Sequence, residues 1–288
     1  MILSVSRRTD IPSYYSEWFM NRLKEGYVLT RNPMNYHQIR NIELNPNNID
    51  CIVFWTKDPL NLMKYLPQIE SMGYKYYFQY TLTPYGKEIE KHIREKKELV
   101  KTFQELSKRI GRERMIWRYD PIIINRDLTI QYHIENFRQL CRDLEGWVKV
   151  CEISFCDTYK KLSKEVKERV VLPISQLQMQ ELTRELVEIG NQYGIELKAC
   201  CEENLIETGI RSAACIDKEL IQSICGHLIQ EKPDRNQRLG CSCIQSVDIG
   251  VYNTCKHGCV YCYANHSDKS ILQNYHRHNP NSPLLLGE

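Results

Sequence analysis

Cys255, Cys259 and Cys262 stand at C-x₃-C-x₂-C spacing near the end of a chain of 288 residues. Three thiols on one short loop can be aimed at a single centre, and Gly258 between them lets the loop fold tightly enough for the sulfurs to converge. Three ligands are few for structural zinc, which is closed by four, and iron–sulfur clusters also usually take four thiolates. A three-thiolate loop therefore leaves one iron of a 4Fe–4S cluster without a protein ligand, open to bind and activate something. The competing reading is a zinc site completed by a distant cysteine, or by His257 or His266.

The chain has 13 cysteines, and nine of them lie between Cys200 and Cys262. Such clustering calls for a metal or redox explanation. Cys200, Cys215, Cys241 and Cys243 form a second candidate ligand set that would be closed, as an auxiliary iron–sulfur cluster or a structural zinc. Cys201 or Cys225 could replace one of the four, and the competing reading is that several are small buried hydrophobes. Cys51, Cys141 and Cys151 sit in apolar runs or singly on helical patterns and read as core. Cys156, at a strand end, is left open.

The elements that must position these residues follow one theme. Apolar, β-branched or aromatic runs at Ile2–Ser6, Cys51–Thr56, Tyr76–Leu82, Met115–Tyr119, Val148–Phe155 and Ile195–Cys200 alternate with amphipathic helical stretches. Gly26, Gly73, Gly111, Gly146 and Gly194 fall where helices should terminate, and Asp58-Pro59 reads as a helix start. The alternation predicts an α/β fold with a parallel sheet. The preferred form is a full or partial (β/α) barrel, TIM-like, in which the cysteine-rich segment 239–266 completes the barrel of a single domain spanning 1–288. An open doubly wound sheet is the alternative. Polar groups recur at the strand ends: Arg7, Arg8, Thr9 and Asp10, then Lys57, Gln79, Arg118 with Asp120, and Asp157. The C-terminal ends of parallel strands are where such folds build active sites. Arg118, Asp120 and Lys57 are the candidate catalytic groups.

The cysteine loop, with the aromatic Tyr261 immediately before its third cysteine, resembles the cluster-binding motif of the radical S-adenosylmethionine superfamily. The wider chain resembles an uncharacterised bacterial family over nearly its full length, through Ser-Arg-Arg-Thr-Asp-Ile-Pro, Val-Phe-Trp-Thr-Lys-Asp-Pro and Asp-Ile-Gly-Val-Tyr-Asn-Thr-Cys. The superfamily resemblance implies a full or partial barrel and reductive cleavage of S-adenosylmethionine at the open iron, giving a 5′-deoxyadenosyl radical. It also implies Tyr261 near the adenine and a one-electron donor such as a flavodoxin or ferredoxin. In that superfamily the loop follows the first strand, whereas here it lies near the C-terminus. A circular permutation would reconcile the two, with Ile244–Gly250 as nominal first strand and Ile2–Ser6 beside it as the second. The superfamily's Gly-Gly-Glu segment has no counterpart. Arg7, Arg8, Thr9 and Asp10 would take its edge, Asp10 meeting the methionine amine and an arginine the carboxylate.

The bulk composition is that of an ordinary soluble globular protein. Hydrophobic residues make up 42% and charged residues 26%, with no 18-residue apolar run to span a membrane. Met1 leads into an apolar stretch with Arg7-Arg8 after it, the reverse of a signal peptide, so the expectation is cytoplasmic. A net charge of +3 does not call for a nucleic-acid partner. The segment Lys87 to Lys101 reads as a solvated helix face, and Gln230–Arg238 as a surface connection. The expected substrate is a small anionic or nucleotide-like molecule. Two other functions remain: a zinc-stabilised phosphate- or nucleic-acid-binding protein, and an iron–sulfur electron carrier.

Overall fold

The computed structural model describes residues 1–156, 172–238 and 240–287. All six expected runs are strands: β1 (Ile2–Val5), β4 (Cys51–Thr56), β5 (Tyr76–Thr81), β6 (Met115–Ile122), β7 (Val150–Phe155) and β8 (Glu196–Ala199). Two short strands, β9 (Arg211–Ser212) and β10 (Val247–Asp248), join them in one eight-stranded sheet of order β10-β1-β4-β5-β6-β7-β8-β9. Every neighbouring pair is parallel. A separate antiparallel hairpin, β2 (Tyr27–Arg31) with β3 (Ile39–Glu43), was not anticipated from the sequence.

The strands are apolar on both faces because both are covered. Leu3, Ile52, Phe54, Tyr76, Phe78 and Trp117 face a core built with Trp18, Phe103, Phe137 and Leu186 from the flanking helices. Their chain neighbours Ile2, Val53, Tyr77 and Ile116 point the other way, onto Cys200, Cys215, Ile216, Ile221, Cys243 and Ile244. The helices bearing Trp18, Phe103, Phe137 and Leu186 thus pack on one face, and residues of the stretch from Cys200 to Ile244, the helix Lys218–Cys225 among them, pack on the other.

The expectation of a full TIM-like barrel is corrected by this sheet. Among the described strands hydrogen bonding ends at β10 on one side and β9 on the other, so the sheet is open. Both edge strands are two residues long, too short to carry a closing ladder. Of the cysteine-rich segment, Cys243 and Ile244 lie on a sheet face and β10 joins the sheet edge beside β1, without closing a barrel. The order is not doubly wound either, since it advances from β4 to β9 without reversal. The strand preceding the cysteine loop does lie beside the N-terminal strand, with Leu3 opposite Val247 and Ser4 opposite Asp248.

Local signals explain most boundaries. Gly26, at φ +78°, ends the helix Ser16–Glu25 in the left-handed conformation that favours glycine. Ser175 and Gln178 form a reciprocal capping box on the helix Gln176–Gln192. Asp58 caps the helix Leu60–Met63 from one residue before its N-cap position: Oδ1 accepts from the Leu60 amide at 3.3 Å, while the same carboxylate pairs with Arg94 at 2.6 Å. The Lys87 to Lys101 reading fails in part. The helix begins only at Lys96, and Glu90 in the preceding loop is 1% exposed.

Candidate functional site

A cavity of about 450 Å³ opens at the C-terminal ends of the parallel strands. Its wall takes Arg7, Arg8, Thr9 and Asp10 after β1, Lys57 after β4 and Thr81 from β5. Arg118 and Asp120 of β6, Cys156 after β7, and Cys200 and Cys201 after β8 continue it. Cys215, Cys241, Cys243, Cys255, Cys259, Tyr261 and Cys262 complete it. Residues from both ends of the chain, predicted as two separate cysteine sets and a catalytic rim, therefore share one space. Gln79 lies beneath it, its amide donating to the Cys215 carbonyl at 3.0 Å. Asp157 lies outside the described residues.

The loop Cys255 to Cys262 is held from several sides. Tyr15 donates to the Thr254 carbonyl at 2.7 Å and Asn265 to the Cys255 carbonyl at 2.8 Å. The His92 amide donates to the His257 carbonyl at 3.0 Å, and the Val260 amide to the Ile89 carbonyl at 3.0 Å. Gly258 has φ +66°, and a β-carbon there would meet His92 Cδ2 at 2.9 Å. Burial pushes the Cys259 thiol up to about 12, against the pull of the Lys57 ammonium. The three cysteines stand half-buried on one anchored loop and line the cavity. His257 does not suit the role of a fourth ligand. Its Nε2 pairs with Asp10 Oδ2 at 2.7 Å and its Nδ1 with the Tyr14 hydroxyl at 2.9 Å, so both ring nitrogens are occupied. His266 stacks on Tyr252 at 6.2 Å instead.

Asp10 is consumed by structure. Its carboxylate accepts from the Ser13 amide at 2.9 Å, the Thr56 hydroxyl at 3.1 Å and the Lys57 amide at 2.8 Å, besides His257. These four bonds give Asp10 an anchoring role. Arg7 and Arg8 differ from it. Arg7 donates to Ser246 Oγ at 3.1 Å and stacks over Trp55; Arg8 donates to the Gly250 carbonyl at 3.3 Å and lies over Tyr252. Among the described residues neither guanidinium has a carboxylate partner, and Arg7 Nε and Thr9 Oγ1 are buried without a hydrogen bond.

Sequence reasoning missed Glu90. It accepts from Lys57 at 2.7 Å, Lys96 at 2.5 Å, Thr83 at 2.9 Å and Tyr261 at 2.5 Å. Burial alone would raise its carboxyl; Lys57 and Lys96 outweigh that and bring it down to about 2. Lys57 and Tyr261, both singled out from the sequence, are thus held by an acid that looked like part of a solvated face. Arg118 is likewise embedded, bonded to Glu152 at 2.7 Å, to Gln79 at 3.3 Å, to Cys215 Sγ at 3.1 Å and to Asp120.

Of the two possible replacements in the second cysteine set, Cys201 lies with the four and Cys225 does not. Cys200 Sγ lies 3.5 Å from Cys215 Sγ and 3.8 Å from Cys201 Sγ. Cys215 also meets Cys243, and Cys201 meets Cys241. Hydrogen bonds from Cys200 and Cys243, with Arg118 beside it, hold the Cys215 thiol well below its usual range. Cys225 instead donates to the Asp50 carbonyl at 3.1 Å. Cys51, Cys141 and Cys151 are fully buried, as expected of core residues. Among the described residues no three His, Cys, Asp or Glu side chains converge as they would on a single ion; the sulfurs border a common space and run as a chain.

Fold and site together define an α/β protein whose open, parallel sheet carries a thiol-rich cavity at its C-terminal edge. The sequence model of a family described as "Domain of unknown function (DUF1848)" matches residues 2–264. The chain belongs to that family. No curated protein matches it significantly. Among the described residues no helix is long and apolar enough to cross a membrane.

Proposed function

We propose that this chain is a radical S-adenosylmethionine enzyme, with a 4Fe–4S cluster on Cys255, Cys259 and Cys262. Bound there, the cluster would supply the electron that splits the sulfonium of S-adenosylmethionine and so provide a 5′-deoxyadenosyl radical for hydrogen abstraction. The observation that carries the reading is the placement of three half-buried cysteines of one anchored loop on a cavity ringed by strand ends. A cavity of about 450 Å³ falls within the usual range for small-molecule sites. The strand before the loop pairs with β1, which is the adjacency a circularly permuted, partly closed barrel would have.

The protein's own residues would then divide the work. Arg7 and Arg8, lacking carboxylate partners among the described residues, would hold anionic groups of cofactor or substrate through charge-assisted bonds. Tyr261, fixed through its hydroxyl by Glu90, would present its ring to the adenine. Asp10 and Tyr14 would keep His257, and with it the loop, in place. Arg118, pinned by Glu152 and Asp120, is better suited to orienting substrate than to moving a proton. The substrate class remains a small anionic or nucleotide-like molecule. A reducing, cytoplasmic setting and a flavodoxin or ferredoxin as electron donor belong to the same proposal. The test is anaerobic purification and cluster reconstitution, followed by reduction with S-adenosylmethionine and assay for 5′-deoxyadenosine. Formation that is abolished by Cys259→Ala is the expected result. No cofactor cleavage by the iron-loaded wild type would overturn the reading.

A further inference from the structure

Cys200, Cys201, Cys215, Cys241 and Cys243 come from three separate stretches of chain: the end of β8, the segment after β9, and the approach to β10. Their sulfurs nevertheless form a continuous series, with Cys200 at 3.5 Å from Cys215 and 3.8 Å from Cys201. The series ends at Cys241 beside Cys201 and at Cys243 beside Cys215. All five border the same cavity. Cys201 has φ +57°, and Asn253 is the only other non-glycine residue with positive φ among the described residues. A side chain held in that region is strained, and such strain persists where the surroundings demand it. Here it accompanies two consecutive thiols that both face the cavity. Arg118 supplies the remaining feature, a buried cation with Nη1 3.1 Å from Cys215 Sγ. A thiolate-rich centre carries negative charge that such a cation offsets.

We propose that this set supplies four thiolates to a second, fully ligated iron–sulfur cluster at the β8 end of the cavity. Zinc fits less well. Tetrahedral bonds of about 2.3 Å bring every pair of sulfurs within roughly 3.8 Å of each other around one point. The sulfurs here extend as a chain, and among the described residues no three of them surround a single position. A centre of several irons spans such a chain. The site is independent of S-adenosylmethionine cleavage.

The experiment uses the full-length chain carrying Cys255→Ala, Cys259→Ala and Cys262→Ala together. These changes remove the first site and leave the second set untouched. After anaerobic reconstitution with iron and sulfide, this variant is expected to keep about four irons and as many sulfides per chain, against about eight in the wild type. Its Mössbauer spectrum should be that of a 4Fe–4S cluster. Adding Cys200→Ser and Cys215→Ser should then remove the remaining iron while circular dichroism reports a folded chain. Retention of no iron by the triple variant, or of one zinc without sulfide, would overturn the proposal. Iron unchanged by the two serine substitutions would overturn it as well. A triple variant that keeps its iron, beside a wild type that never cleaves S-adenosylmethionine, would support the second cluster and reject the proposed function alone.

Discussion

Asp10 and Glu90 have exchanged the parts that their neighbours in sequence suggest. Asp10, in a polar strand end, is only 6% exposed and spends its acceptor capacity on holding Ser13, Thr56, Lys57 and His257. Glu90, in a stretch of alternating lysine and glutamate, is the buried hub that orients Lys57 and Tyr261. A third buried group, His133, gives a pH prediction. Its Nε2 faces the Ile123 carbonyl at 2.9 Å and so carries the proton, while Nδ1 accepts from the Tyr119 hydroxyl at 2.8 Å. Burial holds its pKa down at about 4, with the carbonyl bond pulling weakly upward. Between the ordinary value of 6.5 and about 4, the unfolded chain binds a proton that the folded one refuses. The His133 contribution is therefore fully present above that window and is lost as pH falls through it, by up to about 1.4 kcal/mol per unit. Denaturant titrations at a series of pH values should show a shallower acid loss for His133→Gln than for the wild type. Equal slopes would show that His133 carries no such linkage.

At the scale of elements, the cysteine loop and the segment from Gly86 to Ile93 act as a pair. Val260 pairs with Ile89 and His257 with His92 through backbone bonds, so the loop is shaped by a stretch more than 160 residues away in sequence, as the Glu90–Cys259 bridge shows. Gly258 permits this approach, through positive φ and the absence of a β-carbon. Gly258→Ala should cost about 1–3 kcal/mol from the strained backbone, with a further penalty from the contact with His92. The expected result is a lower melting temperature and reduced iron retention at the first site. Unchanged melting and iron content would mean that the segment yields easily. The glycine's role was readable from the cysteine spacing alone. The clasp was not, because nothing local in Gly86 to Ile93 marks it as a partner.

The whole molecule is tied together by its two ends. β10, from residues 247–248, pairs with β1, and Asp248 accepts from Ser4, Ser6, Arg7 and Gly250 at the junction. Farther on, Ser282 accepts from Trp18 Nε1 at 2.8 Å, Asn281 from Arg22 Nη2 at 3.0 Å, and Pro283 from the Leu29 amide at 2.9 Å. The C-terminal stretch thus docks on the helix Ser16–Glu25 and on β2. Truncation after His278 should remove the carbonyl partner of the buried Trp18 Nε1, at about 1–3 kcal/mol, while Arg22 keeps Glu25. A clear fall in melting temperature is expected, and an unaltered one would show that this contact adds little.

The alternation of apolar runs and helical patterns determined the existence and type of six strands, because secondary structure answers mainly to local periodicity. Cysteine spacing likewise marked the loop, and apolar context marked Cys51, Cys141 and Cys151 as core. Tertiary structure alone decided that the sheet stays open, since closure depends on the lengths of edge strands whose two-residue runs leave no pattern. It also decided that Cys201 and not Cys225 joins the second thiol set, and that Glu90 joins Asp10 in holding the cavity's polar groups. Those choices rest on hydrogen bonds and burial between residues far apart in the chain, which no local window of sequence contains.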